Sequence, residues 1–166
     1  MVTSTAQGVS GRAQDPVKPL LNVVLLYEDL STALRAKESL HRIARQLGTD
    51  AGFHAAFWRL DLLGEPLRVE QAAIEAAAAD VIILSLHSGR ELRAEACGWL
   101  ERWLAYRKEH PYALAALFDA QAASTEKDIP VVAHMKRVAQ AAGADLFFGF
   151  GNASVAAPGE NTTTAC

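Results

Sequence analysis

Short, almost wholly apolar runs alternate with longer stretches whose apolar residues recur every three or four positions. No other feature of the chain restricts its fold as strongly. Leu20–Tyr27 (LLNVVLLY), Phe53–Leu60 (FHAAFWRL), Asp80–Leu86 (DVIILSL), Tyr112–Phe118 (YALAALF) and Asp145–Phe150 (DLFFGF) have the length and residue types of strands. The continuous apolarity of Leu20–Tyr27 suits a strand covered on both faces. Between them lie Ser31–Leu47, Leu67–Ala79, Glu91–Glu109 and Pro130–Ala142. In the first of these, Ala33, Ala36, Leu40, Ile43, Ala44 and Leu47 form one helix face, and Gly48 follows as a stop. In the third, Leu92, Ala96, Trp99, Leu100, Trp103 and Leu104 form a stripe that reads as core. Asp128 and Gly143 bracket the fourth as cap and stop.

Five strands and four helices in strict alternation require right-handed crossovers and a parallel sheet. The expected architecture is an α/β three-layer sandwich with strand order 2-1-3-4-5. Residues 20–150 form its single domain. Residues 1–19 and 151–166, rich in Ser, Thr, Gly, Asn and Ala, read as flexible arms. A helix after the fifth strand would complete the second face of the sheet. The chain turns polar instead, which predicts a partly exposed sheet face and hence a homodimer or an unknown protein partner.

Composition narrows the class further. The chain has 166 residues and a formal net charge of −3, so no global basic field points to nucleic acid. Half of it is hydrophobic, but 32 residues are alanine, which favours helices and close packing while burying little area. No apolar run spans a membrane or forms a signal peptide, so a cytoplasmic location is expected. The glycosylation-type triplets at Asn152 and Asn161 then carry no weight. The two cysteines, Cys97 and Cys166, make no metal spacing or disulfide framework, and Cys97 reads as a buried structural thiol.

Parallel open sheets bind ligands beyond the carboxyl ends of their strands, at the switch point, here between the first and third strands. The first strand leads to Glu28 and Asp29, the third to Ser85, His87, Ser88, Gly89 and Arg90. These seven residues are the candidate ligand-binding set. Arg59 and Asp61 leave the second strand, and Asp119 the fourth. Glu28 and Asp29 are also a candidate metal pair, with Mg²⁺ the cation that such carboxylates would take. The competing reading makes Asp29 a helix cap. Ser88–Glu91 fits a capping box at the start of the third helix, where a glycine turn and Arg90 could also meet an anion. His87, Ser88 and Asp29 have the residue types of a nucleophile triad, but adjacent His and Ser on one turn do not give its geometry. Trp58, among Arg59 and Asp61, is assigned neither to the core nor to a ligand surface.

Three segments carry a family resemblance. Val23–Asp29 (VVLLYED) resembles the first strand of bacterial response-regulator receiver domains, which ends in an acidic pair. Asp80–Ser85 (DVIILS) resembles their third strand, and Ala142–Phe148 (AGADLFF) their last helix end and fifth strand. The similarity spans residues 20–150 and implies a flavodoxin-like, Rossmann-like fold and a signalling role. It departs from the family at the reactive positions. Ser85 stands where the phosphoacceptor aspartate would fall, and no lysine follows Lys136. At the end of the fourth strand, Phe118 or Asp119 replaces the family's Ser or Thr. The resemblance therefore implies a degenerate, pseudo-receiver regulatory or interaction module. The alternative is a small-molecule or nucleotide-binding protein, enzymatic or not, that uses the strand-end rim.

Overall fold

The computed structural model describes residues 20–46, 52–110, 112–122 and 130–151. The expected arm at 1–19, the tail at 152–166, the Gly48 stop, the Asp128 cap, both Asn triplets and Cys166 lie outside the described residues.

The elements run β1 (Leu20–Tyr27), α1 (Leu30–Gln46), β2 (Gly52–Arg59), α2 (Pro66–Ala77), β3 (Val81–Ser85), α3 (Ala94–Tyr106), β4 (Ala113–Phe118), α4 (Pro130–Ala142) and β5 (Asp145–Phe150). A 3-10 turn, Leu60–Gly64, links β2 to α2. The five strands form one parallel sheet in the order β2-β1-β3-β4-β5, which is the expected topology. β1, β5 and α4 have the bounds read from sequence. Gly143 ends α4 with a φ of 66°, a conformation that an L side chain resists.

α3 departs from expectation. It starts at Ala94 rather than Glu91, behind Arg93, which makes no side-chain cap. Ser88 and Glu91 therefore form no capping box. Gly89 is buried, and its carbonyl accepts the Val131 N–H at 3.1 Å, anchoring the start of α4. The Ser88–Arg90 turn is spent joining β3 to α4 and does not open a helix of its own.

The sheet has two unlike faces. On one, α2, α3 and α4 cover Val24, Leu26, Ile82, Leu84, Leu114, Ala116 and Phe148. Trp99 and Trp103 are fully buried there and stack at 6.4 Å with 8° between their planes. Trp103 also meets Tyr112 edge-on and donates from Nε1 to the Ala76 carbonyl at 3.2 Å. These tryptophans are core, so the α3 stripe offers no aromatic surface for self-association. The alanines of α2 let it approach α3 and the sheet closely: Ala72, Ala73 and Ala76 are all fully buried.

On the other face, α1 is the one described helix. It packs chiefly on β1 and β3, over Val23, Leu25 and Ile83. The predicted bare region narrows here, because Ala115 and Leu117 of β4 are buried and Phe147 of β5 is half-buried. No described helix is long and apolar enough to cross a membrane.

Candidate functional site

The carboxyl ends of β1, β3 and β4 meet in a polar cluster built around a buried arginine. On α1 the buried stripe is Thr32, Arg35, Ala36, Ser39 and Leu40, so three polar residues share the inward face. Arg35 is 9% exposed and reaches under the sheet end. Its Nη2 donates to the Leu86 carbonyl at 2.6 Å and to Ser85 Oγ at 3.2 Å, and lies 3.5 Å from the Leu117 carbonyl. Its Nη1 pairs with Asp119 Oδ1. Ser85 is fully buried and donates to the Thr32 carbonyl at 2.7 Å. The guanidinium thus ties α1 to the ends of β3 and β4.

His87 completes the cluster. Its Nδ1 lies 2.9 Å from Asp119 Oδ2 and its Nε2 2.8 Å from Asp29 Oδ2. A carboxylate only accepts, so satisfying both contacts requires both ring nitrogens to carry protons. Hydrogen bonds to Asp29 and then Asp119 accordingly raise the His87 pKa against a small desolvation cost. Asp29 is held far below the ordinary carboxylate range by the Thr32 N–H, then by His87 and Ser31. For Asp119 the largest single effect, burial, pushes upward, but hydrogen bonds from His87 and Arg35 together with their charges bring it below its usual value. Asp29 and Asp119 thus face the Arg35 guanidinium and the His87 ring, with the Glu28 carboxylate beside them on the His87 backbone N–H.

Asp29 combines two roles. Its Oδ1 caps α1, accepting the Thr32 N–H at 3.0 Å and the Ser31 hydroxyl at 2.8 Å, while Oδ2 takes His87. Thr32 Oγ1 in turn accepts the N–H groups of Glu28 and Asp29, both at 3.0 Å. Glu28 Oε2 accepts the His87 backbone N–H at 2.6 Å. Three of the four carboxylate oxygens of the candidate metal pair are therefore taken by protein donors. Among the described residues no group of three or more His, Cys, Asp or Glu side chains could hold a metal ion.

The seven candidates divide accordingly. Glu28, Asp29, Ser85 and His87 converge, whereas Ser88 and Arg90 are exposed and stand outside the cluster, and Gly89 serves α4 through its carbonyl. The triad fails because both imidazole nitrogens of His87 face carboxylates, leaving none to act on Ser88. Arg35 is not legible from binary patterning, which assigns charged residues outward. Its spacing from Thr32, Ala36 and Ser39 was the available signal, along with Leu34, which is 51% exposed next to it. Asp119 was visible as a strand-end acid; its partners were not.

Beside this cluster, a groove of about 700 Å³ opens over the ends of β1 and β2. Tyr27, Asp29, Leu34, Lys37, Phe57 and Arg59 are among the residues lining it. His87 and Arg90 are not among the residues lining it, so this groove draws on the ends of the first and second strands and not on the third. Phe118 and Phe150 stack at 5.5 Å across β4 and β5, with Phe118 fully buried in the core under α2, α3 and α4. Trp58 is half-buried, with Nε1 donating to Glu75 at 2.8 Å, which fastens β2 to α2. Cys97 is half-buried, and burial raises its thiol pKa, which disfavours the reactive thiolate.

No protein-family model matches the chain. No curated protein matches it in sequence. A solved structure of a short-chain flavodoxin associated with a non-canonical PDU bacterial microcompartment is similar with a TM-score of 0.48 and 11% identity, covering 80% of this chain and 82% of that one.

Proposed function

We propose that this protein is a non-catalytic, receiver-like interaction module whose strand-end site is neutralised from within. The observation that carries this reading is the state of Ser85. The residue at the phosphoacceptor position is a hydroxyl, fully buried, donating to the Thr32 carbonyl and accepting from Arg35. A serine hydroxyl cannot supply the carboxylate that forms an acyl phosphate, and this one has no solvent path along which a donor could approach. Arg35 puts a permanent positive charge against Asp119, and His87, when protonated, puts one between Asp29 and Asp119. In this reading they hold β1, β3 and β4 together in one conformation with no phosphoryl group or bound cation. Regulation would then act through what the domain contacts rather than through group transfer.

The test is incubation of the full chain with acetyl phosphate and Mg²⁺, followed by intact mass and thermal unfolding. The expected result is no phosphoryl adduct and an unchanged Tm. Stoichiometric labelling would overturn the reading. The alternative, a nucleotide-binding protein using the strand-end rim, has less support, because Ser88 and Arg90 stand apart from the groove that Glu28 and Asp29 border. A Tm rise with nucleotide that Asp29→Ala abolishes would favour it.

A further inference from the structure

β2 is an eight-residue edge strand of unusual character. Among the described residues it pairs only with β1, so one side of its backbone offers unpaired N–H and C=O groups. Edge strands are ordinarily blunted by charge, proline or cover. From Gly52 to Trp58 this one (GFHAAFW) contains no Lys, Arg, Asp, Glu or Pro, and its first charge is Arg59 at the last position. Its cover is also incomplete. α1 sits on β1 and β3 and reaches β2 through the edge-on contact of His41 with Phe53. Phe57 is 46% exposed, and Leu30 and Leu34 beside its groove are more so.

We infer that β2 pairs with β2 of a second copy across a two-fold axis at Ala55, extending the five strands into one ten-stranded sheet. Parity selects this kind of register. Residues directly opposite in an antiparallel pair lie on the same face. Phe53, Ala55 and Phe57 all lie on the α1 face, as the core contacts of Phe53 and Ala55 and the groove position of Phe57 show. An axis at Ala55 sets Phe57 against the partner copy's equivalent of Phe53, an aromatic cross-strand pair. It meets its own image at a small alanine, where two strands can approach. Charge does not oppose the join. The two Arg59 side chains sit four residues from the axis on either side, about 26 Å apart at ~3.3 Å per residue. Eight residues of edge, about 26 Å long, offer the second copy an unbroken run of backbone donors and acceptors.

This inference stands apart from the absence of phosphotransfer, and the two fail separately: a labelled dimer refutes only the former reading, an unlabelled monomer only this one. The test is sedimentation of the full chain at and above about 10 μM, with Phe57→Lys as the disrupting variant. The expected result is a dimer whose Kd rises at least about tenfold in Phe57→Lys, with circular dichroism and Tm of the monomer unchanged. In a Cys97→Ala/Cys166→Ala background, Ala55→Cys should oxidise to a reducible covalent dimer, because antiparallel pairs place Cα atoms about 4.5–5.5 Å apart, within disulfide reach. A strict monomer overturns the inference. So does a dimer that ignores Phe57→Lys and leaves Ala55→Cys uncrosslinked. A monomer that dimerises only after removal of residues 1–19 also overturns it for the full chain.

Discussion

The two faces of the sheet solve the burial problem by different chemistry. Under α2, α3 and α4 the contacts are dry, with stacked indoles, alanines that let helices approach, and branched residues from β1, β3 and β4. Under α1 the apolar contacts are fewer, and the helix inserts Thr32, Arg35 and Ser39 where apolar side chains would ordinarily go. The first arrangement depends on shape and area, which salt and pH hardly touch. The second depends on matching donors to acceptors, because a buried polar group without a partner is costly, and the match leaves Arg35 Nε unpaired. The contrast separates a scaffold from a region whose conformation is set by protons and charges.

The sharpest way to test that division is to damage each face once. Trp103→Ala removes a fully buried indole, its stack on Trp99 and its bond to Ala76. It should cost about 3–5 kcal/mol, the usual range for a large aromatic truncated in a core. Chemical denaturation should show the same loss at pH 5 and pH 8. A strong pH dependence of that loss would erase the distinction between the faces.

Arg35→Met should cost less, about 2–3 kcal/mol. Asp119 keeps contact with solvent, so its abandoned charge is not deeply buried. The defect should be partly repaired by adding Asp119→Asn, since the second change removes the uncompensated carboxylate. Denaturation of the two single variants and the double variant measures the coupling. Strict additivity would mean that the ion pair does not organise this face.

A smaller effect should come from pH. The His87 pKa is raised in the folded state, so its contribution is complete below the unfolded value of about 6.5 and is lost as pH rises through the folded value. Asp29 and Asp119 are lowered, so theirs is complete above about 3.9 and is lost as pH falls toward their folded values. Stability from the cluster is therefore greatest between about pH 4 and 6.5. Tm should decline on the alkaline side, and His87→Gln should flatten that decline. An alkaline slope that persists unchanged in His87→Gln would place the titrating group elsewhere.

These contrasts also explain what could be read from sequence. The dry face follows from period and composition: β3 as a β-branched run, the Trp99–Trp103 stripe and the strand order all survive into the fold, because burial of apolar area is non-directional and leaves a plain pattern. The α1 face did not announce itself. Binary patterning assigns an arginine outward and a leucine inward, whereas Arg35 is buried and Leu34 exposed. The ends of β3 and β4 supply the partners of Arg35, and these lie 50 to 84 positions away along the chain. His87 and Asp29 could be nominated as polar residues at strand ends, but their mutual bond depends on the β1–β3 pairing.

Ser88 gives the smallest prediction and the most exacting one. A serine that caps a helix costs about 1 kcal/mol when replaced by alanine. The Ser88–Glu91 spacing promised such a cap, but α3 begins at Ala94, and Ser88 is exposed on the turn before it. Ser88→Ala should therefore change stability by less than about 0.5 kcal/mol, as surface substitutions do. Asp29→Ala should exceed it clearly, because Asp29 both caps α1 and holds His87. Equal losses in the two variants, measured by urea denaturation at pH 6, would mean that the β3–α3 turn contributes a helix cap after all and that the strand-end cluster has no special hold on the start of α1.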